Sequence, residues 1–137
     1  MEKHFKLNDE EFERQFANCT LNELIFSHEA HLRLGWIYLQ KYGLDMAISN
    51  ICDQLQNYVK AVGQEDKYNK TLTIAAVKAV YHFMQKSQAT NFKDFIRECS
   101  RLKYNFRELM GSHYKLDIYN SAKAKKEFIE PDLVPFD

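Results

Sequence analysis

Turn formers are nearly missing from this sequence: four glycines and two prolines in 137 residues, about 4% against a usual level near 12%. A protein of many short strands reverses direction every few residues and needs such residues at most reversals, so their scarcity excludes that class and predicts an all-α fold. A 45% apolar share, with 14% aromatic residues, is enough to offset the entropy of ordering and excludes a disordered chain. The length suits one domain with a full core. The expected architecture is a single-domain bundle over residues 1–137 with about five main helices, a short C-terminal helical turn and an extended tail, the segment 121–137 packing on the bundle.

Helix boundaries follow from caps and periodicity. Residues 8–17 form a first helix, capped by Asn8 or Asp9, with Glu10, Glu11 and Glu13 in the first turn and Phe12 and Phe16 on one face. Ser27 caps a second helix that ends near Tyr42 and Gly43, with Gly43 as left-handed terminator. From Leu44 to Val62 the apolar stripe Leu44, Ile48, Ile51, Leu55, Tyr58, Val59 and Val62 stands opposite Asp45, Ser49, Asp53, Gln56 and Lys60. A fourth helix over 68–86 is apolar almost all round, which predicts a central position between the second and third helices. Asn91 with Asp94 caps a fifth, whose inward residues are Phe92, Phe95, Ile96, Cys99 and Leu102; a short piece at 106–110 stops at Gly111. Beyond it, a turn or two at 121–127 precedes a tail that Pro131 and Pro135 keep extended and that Phe128, Ile129, Leu133, Val134 and Phe136 make too apolar for solvent.

Three widely spaced cysteines, Cys19, Cys52 and Cys99, suggest neither a disulfide framework nor a cysteine zinc site, and they fit a reducing, cytoplasmic setting. No apolar run reaches the length of a signal peptide or a membrane span. The zero net charge hides an asymmetry. Residues 60–126 carry 14 basic against 6 acidic side chains, but they are spread over several helices and interrupted by Asp94, Glu98 and Glu108, which argues against a nucleic-acid surface.

Chemistry concentrates at two places. In the run Phe26-Ser27-His28-Glu29-Ala30-His31-Leu32-Arg33, a helical wheel sets His28, His31, Leu32, Gly35, Leu39 and Tyr42 on one arc, facing the expected core, with Glu29 and Arg33 to one side. Two imidazoles three residues apart can share a divalent metal or a small polar ligand, and Gly35 leaves space beside them; the competing reading is a pair of structural core histidines. At the fourth helix start, Tyr68, Asn69 and Thr71 can supply hydrogen bonds to the same pocket, or simply cap the helix and pack. No phosphate loop, nucleophile elbow or paired-carboxylate signature is present, so enzyme classes that depend on them are unsupported.

Three motifs carry a resemblance: F-x-H-x-x-H-L-R at 26–33, Y-x-x-T-L-T at 68–73, and Glu130-Pro131-Asp132-Leu133-Val134-Pro135 after Ser121-Ala122-Lys123-Ala124. Together they resemble a family of small bacterial all-helical proteins. The resemblance implies that His28, His31, Tyr68 and Thr71 belong together, and that a family histidine is replaced here by Asn69; it implies no particular reaction. The function expected is therefore a polar pocket for a divalent metal or a small polar ligand, at His28, His31, Tyr68, Asn69 and Thr71. The alternative is a non-enzymatic interaction module, possible as a homo-oligomer, using Tyr81, Tyr104, Tyr119 and the basic surface.

Overall fold

The computed structural model describes residues 1–136. Among them no strand occurs: the elements are eight α-helices and three short 3-10 turns, so the all-helical class holds. The chain divides into two compact units, Met1–Tyr68 and Asn69–Asp137.

The first unit runs through a 3-10 turn at Lys3–Lys6, α1 (Asp9–Ala17), a 3-10 turn at Glu23–Ile25, α2 (His28–Tyr42), α3 (Leu44–Ala61) and a 3-10 turn at Glu65–Lys67. Asn8 starts α1 with a reciprocal capping box to Glu11. Ser27 starts α2, its hydroxyl accepting from the Ala30 N–H at 3.2 Å. A single residue, Gly43, both ends α2 and starts α3, at φ 80° and ψ 174°. That backbone is positive in φ but extended in ψ, a conformation reserved for glycine rather than the left-handed helical one expected. The chain reverses there, and α2 and α3 pack along each other, with α1 against both.

Two helix ends share one geometry from different residues. After α3 the Gly63 N–H bonds the Lys60 carbonyl and the Gln64 N–H bonds that of Val59, the paired bonds of a Schellman terminus, with Gly63 at φ 72°. After α1 the Cys19 N–H bonds Phe16 and the Thr20 N–H bonds Gln15 in the same register, with Cys19 at φ 64° where glycine is usual. The core of this unit is aromatic. Phe12, Phe16, Tyr38 and Tyr58 are all but fully buried, each worth about 1.5–3 kcal/mol of apolar burial. Phe26 joins Phe16 and Tyr58 at ring distances of 5.5 and 5.2 Å. The predicted α3 stripe has no exposed member, and all five residues expected opposite it are exposed.

The second unit holds α4 (Lys70–Lys86), α5 (Phe92–Glu98), α6 (Arg101–Tyr104), α7 (Phe106–His113), α8 (Ala122–Lys126) and an extended end. Asn69, Asn91 and Ser121 cap α4, α5 and α8 by accepting from the N–H three residues on. No residue from Lys70 to Met84 is exposed, as the all-round apolar pattern predicts. The five inward residues expected over 92–102 are buried, but not on one helix: Phe92, Phe95 and Ile96 are on α5, Cys99 is in the break at Cys99–Ser100 and Leu102 is on α6. Gly111 does not stop α7. The helix continues to His113, Gly111 being an exposed position that the buried Leu109 and Met110 before it hold in helical register.

The C-terminal segment is tied down within this unit. Thr71 Oγ1 donates to the Glu127 carbonyl (2.7 Å) and accepts from the Ile129 N–H (3.1 Å), and Tyr114 donates to the Ile129 carbonyl at 2.7 Å. His113 bonds this segment twice, its carbonyl accepting from Leu133 N–H and its Nδ1–H donating to Val134 O. Its ring stacks on Phe136. Leu133 and Val134, expected to be buried, are 52% and 54% exposed: backbone bonds hold this stretch, and Phe136 supplies the apolar anchor.

Candidate functional site

Leu32, Gly35 and Leu39 of the arc expected to face inward are buried, but in the first turn of α2 burial is the reverse of that expected. Glu29 and Arg33 are buried, and His28 and His31 are exposed. The wheel could not fix the direction, because every residue from Leu32 to Leu39 is buried and the apolar set has no single face.

His31 is nonetheless held firmly. Its Nδ1–H donates to the Ser27 carbonyl at 2.8 Å, and its ring lies flat on Phe26, with 3.8 Å between centroids and 15° between planes. Although the residue reaches solvent, the protein packed around the ring disfavours its charged form and pushes its pKa down to about 4, with the neighbouring His28 adding to the effect. At neutral pH the ring is therefore uncharged. With Nδ1 as donor, the lone pair is on Nε2, and a backbone carbonyl behind the opposite nitrogen is the support that metal-bound imidazoles usually have. His28 stands one turn earlier on the same helix, close enough for its charge to be felt at His31.

On the buried side of the same turn lies a cluster that the sequence reading missed. The 3-10 turn Lys3–Lys6 lays the amino-terminal strap against α2 and buries His4 completely. His4 Nε2 is 2.5 Å from Glu29 Oε2 and 3.7 Å from Glu2 Oε1, and Ser27 Oγ donates to Glu2 Oε1. Arg33, one turn beyond Glu29, donates through Nη1 to His4 O (2.7 Å) and through Nη2 to Leu7 O (2.9 Å) and Asp9 Oδ1 (2.8 Å), and it stacks over Phe12. Its Nη1 also faces His4 Nδ1 at 3.3 Å.

Glu2, His4 and Glu29 each offer a ligand atom within 4.8 Å of the others. Their surroundings oppose a metal. A guanidinium only donates, so the His4 nitrogen facing it carries the lone pair, and Nε2–H is the donor to Glu29. A metal on Nε2 would move the proton to Nδ1, against Arg33. Burial, reinforced by Arg33, keeps the His4 pKa below its ordinary value despite the pull of Glu29. With no exposed surface, His4 meets no substrate. The cluster is a clasp that holds the strap shut.

The other expected site residues have protein partners. Asn69, buried, accepts from the Leu72 N–H and donates to the Ile118 carbonyl at 2.8 Å, while Thr71 spends its hydroxyl on Glu127 and Ile129. Tyr68 meets Gln56 and Cys52 of α3, and burial pushes its phenol pKa up. Among the described residues no buried side-chain nitrogen or oxygen lacks a hydrogen-bond partner. Tyr104 is 73% exposed, Tyr119 lies under the Arg107 guanidinium, and Tyr81 is half-buried. The clasp had one local signal in the sequence, Glu29 and Arg33 four apart on α2; the long-range partner His4 had none.

In class, the chain is an all-helical protein whose second long helix starts with a stacked, hydrogen-bonded imidazole, His31, and a second histidine, His28, three residues before it. No family model, curated protein or solved structure matches it. No helix among the described residues is long and apolar enough to cross a membrane.

Proposed function

We propose that the chain is a small helical binding protein for a divalent transition metal, held by His28 and His31 at the first turn of α2. One observation carries this reading: His31 is solvent-accessible, neutral, stacked on Phe26 and supported at Nδ1 by the Ser27 carbonyl, so that its Nε2 lone pair is already oriented. Two imidazoles one turn apart favour borderline ions in the order copper and nickel or zinc over manganese, since manganese prefers oxygen ligands. Asn69 is bonded to the Ile118 carbonyl and Thr71 to the C-terminal segment, which leaves the two histidines as the ligand set of this reading.

Calorimetric titration of the full chain with nickel, zinc and manganese tests this. Nickel and zinc should bind, manganese more weakly, and His31→Ala should lower the nickel affinity about tenfold or more, as removal of a principal ligand does. Equal affinities for the wild type and the His28→Ala/His31→Ala double variant would overturn the reading.

A further inference from the structure

Ser27 belongs to both features of the α2 start. Its carbonyl accepts two donors from His31, the backbone N–H at 3.0 Å and Nδ1–H at 2.8 Å. Its hydroxyl accepts from the Ala30 N–H and donates to the carboxylate of Glu2, which belongs to the strap. One residue thus ties the imidazole site to a segment that the clasp of His4, Glu29 and Arg33 holds in place.

Electrostatics gives the tie a direction. A helix N-terminus carries a partial positive charge and repels a cation in its first turn. His28 and His31 lie in that turn, so a divalent ion there needs a compensating negative charge. Glu2, hydrogen-bonded by the Ser27 hydroxyl at the helix cap, supplies a carboxylate there only while the strap is docked. A metal on Nε2 in turn makes Nδ1–H a stronger donor and tightens the Ser27 carbonyl that anchors the turn.

We infer that the amino-terminal strap, through Glu2 and Ser27, controls the affinity of the His28–His31 cation site, and that cation binding tightens the strap. This rests on the metal reading of His28 and His31. By linkage the two effects are reciprocal: what the strap adds to metal binding, the metal adds to strap docking.

The test uses the full chain with Glu2→Gln, which keeps a hydrogen-bond acceptor for Ser27 and removes only the charge. Nickel affinity should fall roughly threefold to tenfold relative to wild type at low salt, the difference shrinking at high ionic strength. Hydrogen exchange gives the converse. The Phe5 and Leu7 amides, bonded to the Glu2 and His4 carbonyls, should exchange more slowly with saturating nickel in the wild type and show no change in His31→Ala. A wild type that binds nickel but is matched by Glu2→Gln, with strap exchange indifferent to the metal, overturns the coupling and leaves the site standing. A wild type that binds no nickel overturns both.

Discussion

Arg33 shows how much one side chain can organise. Its guanidinium closes on the carbonyls of His4 and Leu7 and on Asp9, while its plane covers Phe12. Replacing it by Met leaves the His4 and Leu7 carbonyls without their donor and should cost about 2–4 kcal/mol. Lysine, a point charge without the fork, should recover only part of that. Urea unfolding of the two variants would measure the order, and equal stability of Arg33→Lys and wild type would show that charge alone suffices. His31 makes a different prediction. Its pKa is held near 4 in the folded chain against 6.5 ordinarily. Between those values the unfolded chain takes up a proton that the native ring refuses, so stability present above pH 6.5 falls on acidification and levels off below about pH 4. His4, also held down, contributes a loss of the same sign. His31→Asn should therefore have a shallower decline in melting temperature between pH 6.5 and 4 than wild type; parallel curves would contradict the assignment. Neither residue's setting could be read from the sequence. A stripe locates a face only when another face is polar, and from Leu32 to Leu39 Arg33 is the single charged position in an otherwise apolar run.

At the scale of elements, the caps were the most legible features. Ser27 and Asn91 accept the hydrogen bonds expected of them, and Asn8 rather than Asp9 caps α1, because capping is decided within four residues; Ser121 caps α8 in the same way. Asn69 goes further, capping α4 with its oxygen and holding Ile118 with its amide; Asn69→Ala should cost about 2 kcal/mol, one cap plus one buried carbonyl left unmet. Thermal melts would check it, and a loss no larger than that of an exposed cap such as Asn91→Ala would show the Ile118 bond to be idle. The end of α1 was illegible for the converse reason. Its Schellman bonds place Cys19 in left-handed backbone, where the residue type gives no warning. Cys19→Gly removes that strain and should raise stability by roughly 0.5–1 kcal/mol, visible as a melting temperature a few degrees higher.

For the whole molecule, composition announced an all-helical chain, and the patterns of α3 and α5 announced Ile51, Leu55 and Tyr58 and Phe92, Phe95 and Ile96 as buried, while Ala47 and Cys52 of α3 escaped the stripe. The division at residues 68 and 69 had no such signal, since no flexible stretch marks it and the chain crosses it from a 3-10 turn directly into the cap of α4. The C-terminal end was legible as ordered, from its apolar residues and prolines, but its attachment through Thr71, His113 and Tyr114 depends on partners 15 to 58 positions away. Deleting residues 121–137 strips the buried Thr71 and Tyr114 hydroxyls of partners and should lower the melting temperature by several degrees. An unchanged melt would show that these bonds add nothing. The one-residue joint at Gly43 bears on time rather than stability. With no intervening loop, bringing α2 and α3 together costs almost no closure entropy, and their contacts are among the most local long-helix contacts a chain can make. This hairpin is accordingly the natural nucleus from which folding of residues 1–68 spreads. At position 43 a Cβ would meet no atom within 4 Å, so Gly43→Ala perturbs only the backbone preference. It should slow folding nearly as much as it destabilises, leaving the unfolding rate almost untouched.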